Sequence, residues 1–220
     1  MDYNKMKREF DFHLRRMRGL LSNSPKTVAL VGNGPSACGL AELIDKSDFV
    51  VRINTALHCG AAGVRTDALA IINWSYPADA MTSGWSPILP LALDSAREIW
   101  LPMPPEEMKD VRKDRADPLP PPAYQDFSEQ IIKKLVRGRV YTKFPPKIWR
   151  DLKVELRKNG ARREHMASTG SLVLAYLVRV WPRSKITLFG FTHEGWAGHP
   201  WEAEARWVAS LRNVHYARTQ

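Results

Sequence analysis

The chain has 220 residues, of which 44% are hydrophobic and 25% charged, and a formal net charge of +10 at pH 7. That length suits one good core, or a core with a sizeable insertion, and the composition is that of a soluble globular protein. No apolar run approaches the roughly 20 residues that span a bilayer, and Arg15, Arg16 and Arg18 break the first apolar stretch where a signal peptide would need an unbroken one.

Residues 1–23 read as one basic amphipathic helix, in which Lys5 to Arg18 alternate with Met6, Phe10, Phe12, Leu14 and Met17. Such a segment either lies on an anionic membrane surface or packs on the domain as a solvated helix. The expected location is therefore cytoplasmic, with peripheral contact at the inner face of the membrane as an option. After a short linker, Thr27 to Val31 is a β-branched apolar run with the look of a buried strand. Gly32-Asn33-Gly34-Pro35-Ser36 breaks it, and the spacing from Cys38 to Ile44 predicts a helix packed on a sheet. Phe49 to Ile53 is a second buried strand. A glycine-rich turn between strand and helix can present free backbone N–H groups to a phosphate, although any tight turn of this kind also needs glycines.

Thr55 to Asp67 is a loop of small residues, Ala68 to Ile72 a third strand, and Tyr76 to Pro90 a loop with a helical piece. Glu98 to Leu101 is a fourth strand. From Pro102 to Pro122 prolines and charges dominate, which predicts a coreless surface segment or lid. A mobile insertion of about residues 102–165 would then carry acceptor contacts, with helices at Ser128 to Val136 and Lys147 to Lys158. Ser168-Thr169-Gly170-Ser171 caps a nearly all-apolar helix from Leu172 to Trp181. Lys185 to Phe189 is another buried strand, and His199-Pro200-Trp201-Glu202 opens a last helix running to about Arg212. Strands alternating with helices predict an α/β fold, a Rossmann-like, mostly parallel sheet flanked by helices, in one domain over residues 24–220. In such sheets ligands sit beyond the carboxyl ends of the strands, so the turns after Val31, Ile53, Ile72 and Phe189 should converge on one cleft.

Four pieces stand in order along the chain: VGNGPSA, then RIN with GVRTD, then STGSLVL, then His199 and Glu204 five residues apart. The series resembles the sialyltransferase motifs of glycosyltransferase family 29, over about half of the chain. VGN and RIN look like the family's large motif, Ser168-Thr169-Gly170 like its small motif, and His199 with Glu204 like its very small motif. The resemblance implies a GT-A-type variant of the Rossmann-like fold and an inverting transfer of sialic acid, or a related 2-keto sugar acid such as Kdo, from a CMP-activated donor to a glycan or glycolipid hydroxyl. It implies no cofactor and no metal. Two features depart from the family. Its disulfide between large and small motifs has no counterpart, since Cys38 and Cys59 are the only cysteines, which fits a bacterial relative. Its third motif is not intact, with His193 and Trp196 the nearest candidates.

The resemblance makes His199 the base that takes the acceptor proton, a task suited to imidazole near neutral pH. By residue type alone, His199 could instead cap the last helix, with Glu202 as capping partner. Glu204 either braces the loop or is exposed. Gly32, Asn33, Gly34 and Asn54 after the first two strands, and Ser168, Thr169 and Gly170 at a helix start, are the candidate nucleotide-binding groups. Asn33 could serve its turn alone, and the Ser168 group could be an ordinary cap. His193 is a candidate partner for the leaving phosphate. No D-x-D pair follows a strand. Two other readings stand beside this one. Gly32-x-Gly34-x-x-Ala37 fits a dinucleotide fingerprint, as in an FAD- or NAD(P)-binding oxidoreductase, but Arg52 and Asn54 occupy the place where that fingerprint wants an acid. The charge alone would suit a nucleic-acid-binding module, but no recognised motif of that kind occurs, and no nucleic acid is expected as partner.

Overall fold

A computed structural model describes residues 24–114, 120 and 122–217. The amphipathic helix expected over residues 1–23 lies outside these. Seven parallel strands form one sheet: β1 (Thr27–Val31), β2 (Phe49–Ile53), β3 (Ala68–Ala70), β4 (Glu98–Leu101), β5 (Val140–Lys143), β6 (Lys185–Phe189) and β7 (Val214–Tyr216). Their order is β5-β4-β3-β2-β1-β6-β7. The chain winds outward from β1 to β5, then crosses back to place β6 on the other side of β1. The order therefore reverses between β1 and β6, and a crevice opens there at the carboxyl ends.

Both faces of the sheet are buried because alternate residues of each strand point oppositely. Val28 and Leu30 of β1 belong to one core cluster, and Ala29 and Val31 to another. The first face is covered by α6 (Pro146–Lys158), α7 (Thr169–Val180) and α8 (Trp201–Ala209), through residues such as Trp149, Leu152, Leu177 and Trp207. The second is covered by α1 (Ala41–Asp45), α2 (Ser75–Ser83), α3 (Pro90–Ser95) and α5 (Ser128–Ile131), the last continuing as a π turn over Ile132–Val136. A short α4 (Met108–Asp114) completes the described helices. None of the described helices is long and apolar enough to cross a membrane.

The structure corrects several expectations. The helix predicted from Cys38 to Ile44 is a 3₁₀ turn at Pro35–Ala37 followed by the short α1, with Gly39 at φ +82° between them. The stretch read as a loop with a helical piece, Tyr76 to Pro90, holds α2 and then a loop, and α3 begins at its end, at Pro90. The stretch after Pro102 is not coreless as far as it is described: Met103, Met108 and Val111 are buried in the main cluster. Parts of the 102–165 region join the sheet and its core: β5 pairs with β4, and α6 packs on the sheet. The last helix stops at Ala209, and the chain then forms β7, which the apolar pattern does not reveal.

Candidate active site

The ten candidate catalytic and nucleotide-binding residues border one polar cavity of about 330 Å³ beyond β1, β2 and β6. The turn after β6, from Gly190 to Glu194, forms its far wall. The ways in which the ten residues contribute differ.

The Gly32–Gly34 turn is not a nest of free donors. Gly32 N donates to Phe189 O at 2.8 Å and Gly34 N to Gly190 O at 3.0 Å. A Cβ on either glycine would lie 2.7 and 2.6 Å, respectively, from Gly190 O. These glycines thus let two loops at the switch point pack backbone against backbone. This engages two of the N–H groups expected to be free in the turn, and the single 3₁₀ turn after it lacks the helix N-terminus that a dinucleotide fingerprint uses.

The two asparagines are held by their carbonyl oxygens. Asn33 Oδ1 accepts from Leu57 N and Asn54 Oδ1 from Ile72 N, both at 2.9 Å. Asn54 sits at φ +51°, which asparagine tolerates better than most residues. With each oxygen fixed, each amide is oriented, and its NH₂ makes only a long bond of 3.4 Å, to Ile53 O for Asn33 and to Thr169 Oγ1 for Asn54. Both amides retain donor capacity at the cavity.

The free helix start belongs to α7. Ser168 caps it, accepting from Ser171 N at 3.2 Å. Leu172 N bonds back to Ser168 O. Thr169 and Gly170 border the cavity in the first turn, where unpaired N–H groups and the helix dipole favour an anion. Gly170 has a specific reason to be glycine: a Cβ would meet Phe191 Cε1 at 2.6 Å.

Glu204 is buried, and it braces the site rather than facing it. Its carboxylate accepts from Ser168 N and Ser168 Oγ, each at 2.7 Å. Burial raises its pKa, opposed by these hydrogen bonds and by Ser171. It thereby locks the α7 cap.

His199 does not cap α8. Pro200 occupies that position with no side-chain cap bond. The His199 Nδ1 lies 2.8 Å from Met166 O. A carbonyl only accepts, so Nδ1 carries the proton and Nε2 keeps its lone pair. The rings of Trp196 and Trp201 stand edge-on to the imidazole, each with centroids 4.9 Å away. Burial lowers the His199 pKa, partly opposed by the Met166 bond. The result is a neutral, oriented imidazole. His193, at φ +52°, pairs through Nε2 with the Tyr216 hydroxyl at 2.5 Å, and burial lowers its pKa too.

A second cavity of about 500 Å³ adjoins the first, and Asn54, Thr169 and His199 border both. The polar cavity also involves Phe191, Thr192 and Trp201, which the sequence reading did not select. The turn after β6 was legible as a ligand-facing loop, whereas Tyr216 carried no signal because β7 went unrecognised.

No family model matches the chain. Over 200 residues it is 29% identical to the urease operon 23 kDa accessory protein of Rhizobium meliloti (strain 1021), covering 86% of this chain and 89% of that protein. The sialyltransferase CstII from Campylobacter jejuni, solved with the substrate analogue CMP-3FNeuAc, matches with a TM-score of 0.51 at 13% identity, over 86% of this chain and 79% of that one. The apo α-2,3-sialyltransferase from Campylobacter jejuni matches with a TM-score of 0.52 at 15% identity, over 87% of this chain and 74% of that one. At such identities the likeness establishes the fold: the chain has the α/β architecture of these sialyltransferases. The narrower likeness to glycosyltransferase family 29 rests on the motifs.

Proposed function

We propose that the chain is an inverting glycosyltransferase that moves sialic acid, or a related 2-keto sugar acid such as Kdo, from a CMP-activated donor to a glycan or glycolipid hydroxyl. The observation that carries this reading is His199, with its Nδ1 proton held by Met166 O and its Nε2 lone pair free, at the junction of two cavities. The polar cavity suits the nucleotide. The α7 start at Thr169 and Gly170 and the amides of Asn33 and Asn54 suit the phosphate. The CMP-3FNeuAc complex of a fold relative motivates the choice of donor.

In the reaction, the acceptor oxygen attacks the anomeric carbon as the bond from that carbon to the phosphate oxygen breaks. The acceptor proton passes to His199 Nε2, and the electron pair of the broken bond leaves with CMP. Growing charge on the phosphate is stabilised by donors already in place. His193 lies on the same cavity for a hydrogen bond to that phosphate, and no metal is required. The Rhizobium relative carries the name of a urease operon accessory protein, a different role, and the transferase reading rests on the site and the fold instead.

The test is mass spectrometry of products formed from CMP-sialic acid or CMP-Kdo with an acceptor panel, with and without EDTA. A mass gain of one sugar acid that survives EDTA is expected. CMP at 100 times its dissociation constant should stabilise the fold by about 2.7 kcal/mol, a rise in Tm of roughly 5–10 °C. No shift with CMP, but a shift with NADPH or FAD, would replace the donor assignment.

A further inference from the structure

The second cavity differs in chemistry from the first. Its wall is built from Ile72, Trp74, Met103, Trp149, Leu172 and Trp196, among others. No Asp, Glu, Lys or Arg among the described residues lines it, in a chain whose net charge is +10. Two of the wall's polar atoms are engaged within the protein, Asn54 Oδ1 accepting from Ile72 N and Tyr76 OH donating to Pro120 O at 2.9 Å, whereas the buried Trp74 Nε1 has no protein partner among the described residues. Two aromatic residues of the wall, Trp196 and Tyr76, remain 47% and 44% exposed. Large apolar side chains left open to water beside a cavity mark a binding surface. Gly198 contributes to this arrangement, because a Cβ there would collide with the Trp196 ring.

We propose that this cavity seats the apolar body of the acceptor, so that the substrate is an amphiphile whose hydroxyl meets His199 while its alkyl or aryl portion packs on the tryptophan-lined wall. The assignment rests on the transferase reading above and names its acceptor class. A bare oligosaccharide fits this wall poorly. Each hydroxyl it buried would need a partner, and a wall built mostly of apolar and aromatic side chains, with few polar atoms, leaves most of such hydroxyls unpaired at a cost. An alkyl or aryl group loses nothing there and removes apolar surface from water. The size of the cavity, about 500 Å³, is within the usual range for a small organic ligand. The shared border at Asn54, Thr169 and His199 puts the head of such a molecule against the donor cavity.

The experiment is calorimetric titration of the CMP-saturated protein with galactose and with hexyl β-galactoside. Hexyl galactoside should bind at least tenfold more tightly, with a negative heat-capacity change. Trp196→Ala and Tyr76→Ala should each weaken it about fivefold or more while CMP affinity stays at the wild-type value. Both side chains are half exposed, so truncation leaves the core intact. Equal affinity for the two galactosides, or hexyl affinity unaltered in both variants, overturns the acceptor class and leaves the donor reading standing. Absence of CMP binding in the wild type overturns the donor reading and this assignment together, and the CMP titration separates the two failures.

Discussion

Glu204 holds both donors of Ser168, the backbone N–H and the hydroxyl, through its two carboxylate oxygens at 2.7 Å each. The residues are 36 positions apart in the chain. A side chain of α8 thus fixes the N-cap of α7, whose first turn borders the polar cavity. His199, five residues before Glu204, is fixed by a different partner, Met166 O, two residues before Ser168. His199 and the α7 start are therefore tied to the same short stretch, Met166 to Ser168, by the two ends of one H-x-x-x-x-E sequence. That link gives the spacing a physical meaning.

Replacing Glu204 should expose this coupling through pH. Burial is the main cause of its raised pKa, so the folded state penalises the carboxylate. A carboxyl whose folded pKa lies above its ordinary 4.5 gives its full stability below that value and loses it as pH rises through the folded pKa. Glu204→Gln keeps an acceptor for Ser168 N but no longer titrates, so Tm measured from about pH 4 to 8 should fall less in this variant than in the wild type. Parallel profiles would dismiss the group. Glu204→Ala leaves Ser168 without its partner and should cost about 1–3 kcal/mol, with weaker CMP binding as well.

For His199 the sign is opposite. Burial lowers its pKa below 6.5, so the neutral form persists to lower pH, and its contribution to stability is present above 6.5 and lost as pH falls through the folded value. The acid limb of kcat/KM should have its midpoint below 6.5. His199→Ala should abolish that limb, lower kcat by about 10²–10⁴-fold and leave the CMP dissociation constant close to wild type. Turnover unchanged in the variant would remove His199 from proton transfer.

The central unit of the fold was legible because buried parallel strands write themselves as apolar runs: β1, β2, β4 and β6 fall where Thr27–Val31, Phe49–Ile53, Glu98–Leu101 and Lys185–Phe189 were read. The edge strand β5 was not, because Val140 and Tyr141 are exposed and only Thr142 points inward. The convergence of the candidate residues was legible from the rule that strand ends gather at one cleft. What each residue does there was less so. That Gly32 and Gly34 also make close backbone contacts with Gly190 could not be read from the sequence, since it depends on β6 arriving beside β1 from more than 150 residues away. Arg52 likewise read as part of a binding motif, yet it is buried.

Arg52 yields a prediction about the fold rather than the site. Its guanidinium donates to Ala62 O and Gly63 O at 2.8 Å and to Arg65 O and Thr66 Oγ1 at 3.2 Å. It organises the loop between β2 and β3. Arg52→Met keeps the volume and strands these acceptors, so urea denaturation should show a loss of roughly 3 kcal/mol or more. Arg52→Lys, which reaches fewer of them from a single ammonium, should recover only part of that. A variant as stable as wild type would show that the loop is held by other contacts.

Two glycine substitutions separate the scaffold from the binding wall. At Gly34 the backbone φ of −74° suits any residue, so strain is not the obstacle. The new Cβ of Gly34→Ala would lie 2.6 Å from Gly190 O, a backbone atom fixed by β6, and one of the two loops must move. A stability loss of about 1–3 kcal/mol is expected. At Gly170 the new Cβ would also lie 2.6 Å from its neighbour, but that neighbour is the Phe191 ring, which is partly exposed and can turn aside. Phe191 borders the polar cavity, so its displacement should act on ligand binding. Gly170→Ala should therefore unfold near the wild-type Tm in the absence of CMP, yet show a smaller CMP-induced rise. The opposite pattern, a large loss of Tm with the CMP shift intact, would place Phe191 in the core rather than in the wall that meets the nucleotide.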